Sequence, residues 1–299
     1  MIDNPLVSVI IVTWNRKDDI LDALNALVRQ TYKNLEIIVV DNGSSDGTSN
    51  EIKKKYPNCN LIILSSNLGC EEGFNVGMVN SNGDILIFLD SDAYFEDDGI
   101  FKIIEKFKKN DQLGIIDPRI YNYYSKKIQN EPKNWPPSDK MFTGCAVGIR
   151  KTVIDKIGLR PKNFFIYASE ADISIRALDA GFLIEHCEDI EAFHKESPVK
   201  RLSPKFYYYN TRNIIWLILK YYPIFSAIRE ILIHLCVNFT LSIKSFTVHY
   251  YIKGLVEGII MAPQIIKNER KPLKKWYLGR IYPSFPELYK ILNKKYCEK

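Results

Sequence analysis

Residues 7–41, VSVIIVTWNRKDDILDALNALVRQTYKNLEIIVVD, contain two apolar runs separated by an amphipathic segment. The runs at residues 7–14 and 35–41 have the length and composition of buried strands. Between them, apolar residues recur at helical spacing: Ile20, Leu21, Leu24, Leu27 and Val28. A strand, a helix and a strand in this order predict two parallel strands joined by a crossover helix.

The same alternation continues to about residue 110, with apolar runs at 60–66 and 83–90 and helical patterns after each. It predicts an α/β fold with a mostly parallel sheet flanked by helices. In such sheets ligands bind beyond the carboxyl ends of the strands. We therefore expect four loops to share one rim: Thr13–Lys17, Asp41–Thr48, Ser65–Gly73 and Asp90–Ala93.

Asp90 and Asp92 follow the apolar run ILIFL, with the small Ser91 between them. Side chains two apart on a strand point to the same side, so both carboxylates should face one point. Two carboxylates that converge repel each other unless a cation lies between them. A solvated turn is the alternative, but the buried strand and the shared rim favour a site for Mg²⁺ or Mn²⁺.

Other rim residues have both structural and functional interpretations. Asp41 could accept a hydrogen bond from a nucleotide base, but Asp is also common in turns, which is the stronger interpretation from that residue alone. The segment NLGCEEGFNVG, residues 67–77, could hold phosphate at a helix start. Alternatively, Asn67, Gly73 and Asn75 are ordinary loop residues.

Two acids and one histidine complete the set of candidate residues. Glu170 and Asp172 lie near a predicted helix start, where the helix dipole favours acids, but where one could also act as a general base. His194 ends a strand-like segment. It is either packed in the fold or a neutral imidazole that completes a carboxylate metal site.

The chain has 299 residues and a formal charge of +6. Residues 264–299 carry ten Lys or Arg against three Asp or Glu, so the excess charge lies in the tail and leaves −1 for residues 1–263. Such a tail suits anionic lipid, nucleic acid or solubility alone. The six scattered cysteines and an amino terminus without signal-peptide features predict a reduced, cytoplasmic protein. No uninterrupted apolar run reaches the length of a membrane span.

The pattern changes towards the carboxyl terminus. Residues 121–140 are aromatic and Pro-rich, which predicts a loop or lid. From Phe206 the chain is mostly helical, rich in aromatic and aliphatic residues, and cut by Pro223 and Pro263. We place a domain boundary near 205, which gives domains at 1–205 and 206–299.

In their order along the chain, these segments resemble the family 2 glycosyltransferases, with their GT-A nucleotide-sugar-binding fold. The resemblance extends from about Val7 to Pro223. LDSDA is similar to the family's metal-binding Asp-x-Asp motif, and VVDNGSSDGT to its base-binding segment. FFIYASEADISIRALDAG resembles the pattern FF-x-Y-x-E-D-x-D-L-x-x-R that carries the catalytic base. Within the family, the rhamnosyltransferase-like enzymes of bacterial cell-surface glycans are the most similar.

The resemblance implies an inverting transfer of a sugar from a nucleoside diphosphate to a hydroxyl of a glycan or lipid-linked acceptor. It implies that Thr13, Asn15 and Arg16 contact the donor, as do Asp41, Asn67, Gly73, Asn75 and Asp90. A divalent cation, Mg²⁺ or Mn²⁺, would be held by Asp90, Asp92 and His194. Asp41 favours UDP or dTDP over GDP, and no nucleic acid is expected.

One position departs from the pattern. The Glu-Asp pair is Ser169-Glu170 here, so a glutamate stands where the family has its aspartate base. With the longer side chain, either the acceptor lies slightly further away, or Asp172 takes the catalytic role, or activity is low. We favour Glu170 as the base, with Asp172 as a structural helper. The departure keeps open a non-catalytic nucleotide-sugar-binding subunit. A nucleotidyltransferase is disfavoured, because TWNRKDD poorly matches a Gly-rich triphosphate loop.

The basic, apolar carboxyl-terminal third has two interpretations. Its helices either lie on an anionic membrane surface, near a lipid-linked acceptor, or pack on the core or in a homodimer interface. The first interpretation predicts a peripheral protein at the inner face of the cell membrane.

Overall fold

The computed structural model describes residues 4–130, 141–195 and 204–273. The described residues form two compact units, the first made of 4–130 with 141–195 and the second of 204–273. The first unit is a mixed, mostly parallel sheet with flanking helices, and the second is helical. The predicted α/β fold class is confirmed.

The first unit contains eight strands that join into one sheet. They are β1 (Val7–Thr13), β2 (Leu35–Asp41), β3 (Asn60–Ile63), β4 (Ile85–Asp90), β5 (Ala93–Phe95), β6 (Leu113–Asn122), β7 (Ala146–Arg150) and β8 (Leu183–His194). Their order across the sheet is β3-β2-β1-β4-β7-β6-β8-β5. β1 to β4 run parallel, β7 is antiparallel to both of its neighbours, and β5 is antiparallel to β8.

Helices cover both faces of this sheet in the first unit and make up the second. In chain order they are α1 (Lys17–Arg29), α2 (Thr48–Lys55), α3 (Cys70–Val79), α4 (Gly99–Lys109), α5 (Lys151–Ile157), α6 (Ser169–Asp179), α7 (Pro204–Tyr221), α8 (Ile224–Lys244) and α9 (Val248–Glu269).

The apolar runs of the sequence become strands because both faces of the sheet are buried. Ile11 of β1 and Ile87 of β4 pack into one hydrophobic cluster, whereas Ile10 and Phe88 pack into the other. Successive residues of a strand therefore serve opposite faces, which explains why these strands show no apolar–polar alternation.

The structure differs from the sequence pattern at two prolines. β6 was not predicted, because Pro118 interrupts its apolar run, but the strand tolerates this proline at an irregularity. There Pro118 pairs with Cys187 and the next residue, Arg119, pairs with Glu191. The prediction that Pro263 cuts the chain is wrong, since this proline lies inside α9. The Pro-rich part of the predicted lid lies outside the described residues.

Candidate active site

Asp90, Asp92 and His194 form a cluster at the carboxyl end of β4. One ligand atom from each of the three lies within 4.8 Å of the others. Nε2 of His194 is 3.3 Å from Oδ1 of Asp92 and 3.9 Å from Oδ2 of Asp90. β8 delivers the histidine, because its last residue pairs with Ala93 across the antiparallel β5–β8 ladder.

The two aspartates converge for a different reason from the predicted one. β4 ends at Asp90, so Asp92 lies in the tight turn into β5 and not on the same strand. The turn bends the chain back, and the β5–β8 pairing then holds Asp92 against the imidazole. Two carboxylates and one imidazole are a donor set suited to a divalent cation, and Mn²⁺ accepts both ligand types.

The surroundings of the cluster raise the pKa of Asp90 and lower the pKa of Asp92. Burial raises the pKa of Asp90 to about 7, and the charges of Asp92 and Glu170 act in the same direction, although 36% of its side chain stays exposed. Burial also acts to raise the pKa of Asp92, but His194 and then Arg16 outweigh it and hold that pKa below its ordinary value. When the pair holds one proton, that proton therefore resides on Asp90 and not on Asp92.

Arg16, in the loop after β1, reaches this cluster. Its guanidinium Nη2 donates to Oδ2 of Asp92, and its Nε lies 2.9 Å from Oδ2 of Asp19. Oδ1 of Asp92 still faces His194. Arg16 therefore orients Asp92 and places a permanent positive charge beside the site.

The other rim residues after β1 connect the loops. Asn15 has a left-handed backbone, with φ of 52°. Its N–H donates to Oγ of Ser44 at 2.9 Å, and its Oδ1 accepts from the N–H of Ser45 at 2.8 Å. Thr13 ends β1 with its hydroxyl buried and without a hydrogen-bond partner among the described residues. The loops after β1 and β2 thus share one rim, as expected.

Asp41 is fully buried at the end of β2. Its Oδ1 accepts from the N–H of Ser44 at 2.9 Å, and its Oδ2 accepts from the hydroxyl of Ser49. Both carboxylate oxygens thus hold the turn, which is the structural interpretation of this residue. Contact between Asp41 and a nucleotide base stays a prediction.

The Gly- and Asn-rich segment before and within α3 makes its contacts with the protein itself. Oδ1 of Asn67 accepts from the N–H of Gly69 at 2.9 Å. Gly73 lies so close to β1 that an added Cβ would come within 2.7 Å of the side chain of Val12. The amide of Asn75 bonds to both the N–H and the C=O of Arg160, at 2.9 and 3.1 Å.

The N–H groups that open α3 are also engaged. Those of Cys70 and Glu71 donate to the carbonyl of Phe165, at 2.7 and 3.3 Å. A phosphate at this helix start would have to displace Phe165, so the geometry gives that prediction no support. Nucleotide contact by Asn67, Gly73 and Asn75 stays a prediction.

Glu170 lies in the first turn of α6, after a chain segment with unusual backbone angles. Phe165, Tyr167 and Ala168 have φ of 63°, 70° and 66°, a region that costs energy for residues with a side chain. Such strain persists only where the surroundings hold it and is concentrated at functional sites. It points to the placement of Glu170 as the feature that this segment maintains.

Gly144 was missed by the sequence analysis, yet it places the Glu170 carboxylate. A Cβ at position 144 would lie 2.2 Å from Oε1 of Glu170, so a larger residue there would force the acid to shift. The next residue, Cys145, accepts from the N–H of Asp90 at 2.8 Å. One short segment therefore joins the predicted base to the acidic cluster.

Asp172 makes a structural ion pair with Arg176. It is fully buried and accepts from Nε and Nη2 of Arg176, at 2.7 and 2.6 Å. The same guanidinium donates to the carbonyls of Ile157 and Leu159 at 2.7 and 3.0 Å. These contacts fit the predicted helper role, because they anchor α6 to the end of α5.

Comparisons with known proteins agree with the fold. Residues 8–167 match the model of Glycosyl transferase family 2. The chain is 28% identical to the uncharacterized glycosyltransferase YfnE of Bacillus subtilis, over 62% of this chain and 49% of YfnE. It is 28% identical to the glycosyltransferase AglE of Haloferax volcanii, over 67% of this chain and 70% of AglE. It is 32% identical to the poly-beta-1,6-N-acetyl-D-glucosamine synthase of Staphylococcus epidermidis, over 39% of this chain and 29% of the synthase.

Solved structures share the fold at lower identity. TarS 1–349 of S. aureus in complex with UDP-GlcNAc superposes with a TM-score of 0.60 and 21% identity, over 89% of this chain and 84% of TarS. The mannosyltransferase PcManGT of Pyrobaculum calidifontis, in complex with GDP-Man and Mn²⁺, gives 0.58 and 16%, over 89% and 79%. The family model spans more than half of the chain, including β1 to β4 and the Asp90–Asp92 turn, and the chain belongs to glycosyl transferase family 2.

Proposed function

We propose that this chain transfers a sugar from a nucleoside diphosphate sugar to a hydroxyl of a glycan or lipid-linked acceptor, with inversion, in cell-surface polysaccharide synthesis. The observation that carries the proposal is the Asp90–Asp92–His194 cluster, joined through Gly144 and Cys145 to the carboxylate of Glu170. A glycosyl transfer needs both parts: a place for the leaving diphosphate and a base for the attacking hydroxyl.

Each residue has a definable task in this reaction. Asp90, Asp92 and His194 would hold Mg²⁺ or Mn²⁺, which when bound neutralises the departing diphosphate. Glu170 accepts the proton of the acceptor hydroxyl as its oxygen bonds to the anomeric carbon and the bond to the diphosphate oxygen breaks. Attack from the face opposite the leaving group inverts the configuration. Arg16 keeps Asp92 oriented and ionised.

Relatives of known ligand support this donor class. The TarS structure holds UDP-GlcNAc and the PcManGT structure holds GDP-Man with Mn²⁺, so the shared fold accepts both kinds of nucleotide. We retain UDP or dTDP ahead of GDP for this chain. A panel of nucleotide sugars, tested for thermal stabilisation with Mn²⁺, identifies the donor because binding to the folded state raises the midpoint.

Glu170→Gln tests the proposed base. The amide keeps the shape of the side chain but cannot accept the proton, so turnover should fall by about a hundredfold or more while donor binding persists. Wild-type turnover in this variant would refute the assignment. Tight donor binding by the unmodified protein, with neither transfer nor donor hydrolysis, would instead support the non-catalytic subunit.

We also propose that the second unit lies on an anionic membrane surface, where a lipid-linked acceptor would be met. Its helix α8 has its polar side inside. Four residues spaced by four, Glu230, His234, Asn238 and Ser242, are buried. Two of them face α7: His234 Nε2 lies 3.3 Å from the carbonyl of Thr211, and Asn210 donates to Asn238 at 3.1 Å.

The outer side of the same unit is apolar. Large exposed side chains extend over α8, α9 and the turn between them, from Phe225 at 86% exposure and Phe246 at 92% to Leu232, Phe239, Ile243, Ile259 and Ile260. Helices in contact with lipid have this arrangement, with polar residues inside and apolar residues outside. Within the described residues, α8 is also long enough and apolar enough to cross a membrane, judged by length and composition alone.

The charges of the second unit favour an anionic surface over a neutral one. The acids of α8 and α9 are each paired with a base: Glu230 with Arg229, Glu257 with Arg212, and Glu269 with Lys220. Exposed Lys244, Lys253 and Lys267 complement anionic lipid headgroups.

A further inference from the structure

Glu71, Arg160 and Ser169 form a closed polar cluster within the first unit. Nε of Arg160 donates to Oε2 of Glu71 at 2.7 Å, and its Nη2 donates to Oγ of Ser169 at 3.1 Å. The serine hydroxyl donates in turn to Oε1 of Glu71 at 2.8 Å. The residues are 1%, 4% and 0% exposed, so each depends on the others for its hydrogen bonds.

The surroundings of this cluster are apolar. The Arg160 guanidinium lies over the rings of Phe74 and Phe88, with centroid distances of 4.8 and 5.3 Å. A charge buried among such groups is tolerated only when it is paired and hydrogen-bonded, and removal of its partner is strongly destabilising. Arg160 therefore requires a carboxylate in this pocket, and Glu71 supplies it.

The sequence pattern suggests why Glu71 pairs with Arg160. The family pattern has Glu followed by Asp where this chain has Ser169 followed by Glu170. Ser169 is the residue whose side chain enters the Arg160 pocket. A glutamate at position 169 would project into the same pocket, where the Glu71 carboxylate now lies.

We propose that Glu71 is a positioning residue that replaces, from α3, the carboxylate that the family pattern carries at position 169. Through Arg160 and Ser169 it fixes the first turn of α6 and hence the carboxylate of Glu170. The carboxylate has moved from one helix to another, while the pocket that it fills has stayed in place. The effect on turnover rests on the proposed function, whereas the pairing itself does not.

The contacts around the pocket show why Glu170 depends on it. The chain from Arg160 to the start of α6 is held by α3 at three further points: Asn75 on the backbone of Arg160, and the N–H groups of Cys70 and Glu71 on the carbonyl of Phe165. Ser169 precedes Glu170 directly. Because a misplacement of about one ångström can cost about a hundredfold in rate, loss of the Glu71 anchor should appear in turnover.

A reciprocal exchange tests the pairing without any assay of activity. Glu71→Ala leaves Arg160 without its carboxylate, and Ser169→Glu places two carboxylates beside one guanidinium, so each single variant should lower the unfolding midpoint by about 5 °C or more. The double variant Glu71→Ala/Ser169→Glu should recover most of that loss. Losses that simply add in the double variant would overturn the proposal.

The same variants are then assayed for kcat and KM, with Glu51→Ala as the control for loss of a first-turn helix glutamate. Glu71→Gln and Glu71→Ala should lower kcat by more than about tenfold with little change in donor KM, and the double variant should restore kcat. Unchanged kcat in Glu71→Ala, beside an active wild type, overturns the positioning role. A wild type without transfer, but with recovered stability in the double variant, would leave the pairing intact and count against the proposed function alone.

Discussion

Nε2 of His194 lies 3.3 Å from Oδ1 of Asp92, although the two residues come from distant parts of the chain, the end of β8 and the turn between β4 and β5. The three residue pairs between β5 and β8 create this proximity, because Ala93 pairs with His194 directly. The cluster is therefore built by backbone pairing before any ligand arrives, and its members can be tested one at a time.

His194→Ala should weaken binding of Mn²⁺ by more than about tenfold, because the cluster loses its imidazole ligand. Calorimetry, or the Mn²⁺-dependent shift of the unfolding midpoint, measures the change. His186→Ala is the matched control, since His186 lies on the same strand but bonds to Asp117 at 3.1 Å, outside the cluster. An equal loss in both variants would contradict the ligand assignment.

Binding of the cation should depend on pH near neutrality. The pKa of Asp90 is raised to about 7, so below that value a cation must displace a proton, whereas Asp92 stays ionised. The apparent affinity for Mn²⁺ should then fall by at least about tenfold per unit as the pH drops from 7 towards 5, since the imidazole of His194 must also be unprotonated to bind the ion. Asp90→Asn should flatten this dependence. An unchanged slope in that variant would show that another group controls it.

The same shift has a consequence for the stability of the metal-free protein. The pKa of Asp90 in the folded state lies above its ordinary value of 3.8, so between the two values the folded state binds more protons than the unfolded one. The free energy of unfolding should therefore decrease as the pH rises through this window. Asp90→Asn should raise the unfolding midpoint at pH 8 more than at pH 5, as measured by thermal melts with a chelator present.

Gly144→Ala should impair turnover and leave donor affinity nearly unchanged. The new methyl group would lie 2.2 Å from Oε1 of Glu170 and displace the carboxylate from its place. A loss of about a hundredfold in kcat is expected for such a shift. Combining the substitution with Glu170→Asp should recover part of the rate, because the shorter acid leaves room for the methyl. No recovery, with both proteins folded, would place the effect elsewhere.

Vesicle flotation tests the apolar face of the second unit. Leu232→Ser with Phe239→Ser should reduce binding to vesicles that contain anionic lipid, since buried apolar area contributes to interfacial binding. Val28→Ser with Val79→Ser removes exposed apolar residues from the first unit and serves as the control. Lys244→Glu with Lys253→Glu should reduce binding to anionic vesicles only. Equal flotation by all variants would remove the membrane proposal and leave a protein partner for this face.

The parallel half of the sheet could be predicted because each strand is a continuous apolar run in the sequence, as in ILIFL before Asp90. The proximity of Asp90, Asp92 and His194 was also expected, since polar residues that follow apolar runs meet at one rim, whereas their role as metal ligands stays a prediction. β6 was missed because its signal is broken by Pro118, and the strand accommodates this proline only through an irregularity in its pairing with β8.

The parts that could not be predicted depend on distant partners. Glu71 is one of two adjacent acids in a helix start, and nothing local distinguishes it from Glu72. Its role appears only when Arg160 and Ser169 are brought to it by the fold. Nothing in the sequence around Gly144 shows that a glycine is favoured there, because the constraint comes from the side chain of Glu170 on α6.

The N-terminal end of α3 makes its hydrogen bonds with the loop that leads to Glu170. This helix thus helps to hold the proposed base, Glu170, in position. Substitutions of Glu71, which is not among the predicted donor contacts, should then be recovered in a genetic screen as enzymes that still load the donor but turn over slowly. A screen that selects only for nucleotide affinity would pass over them.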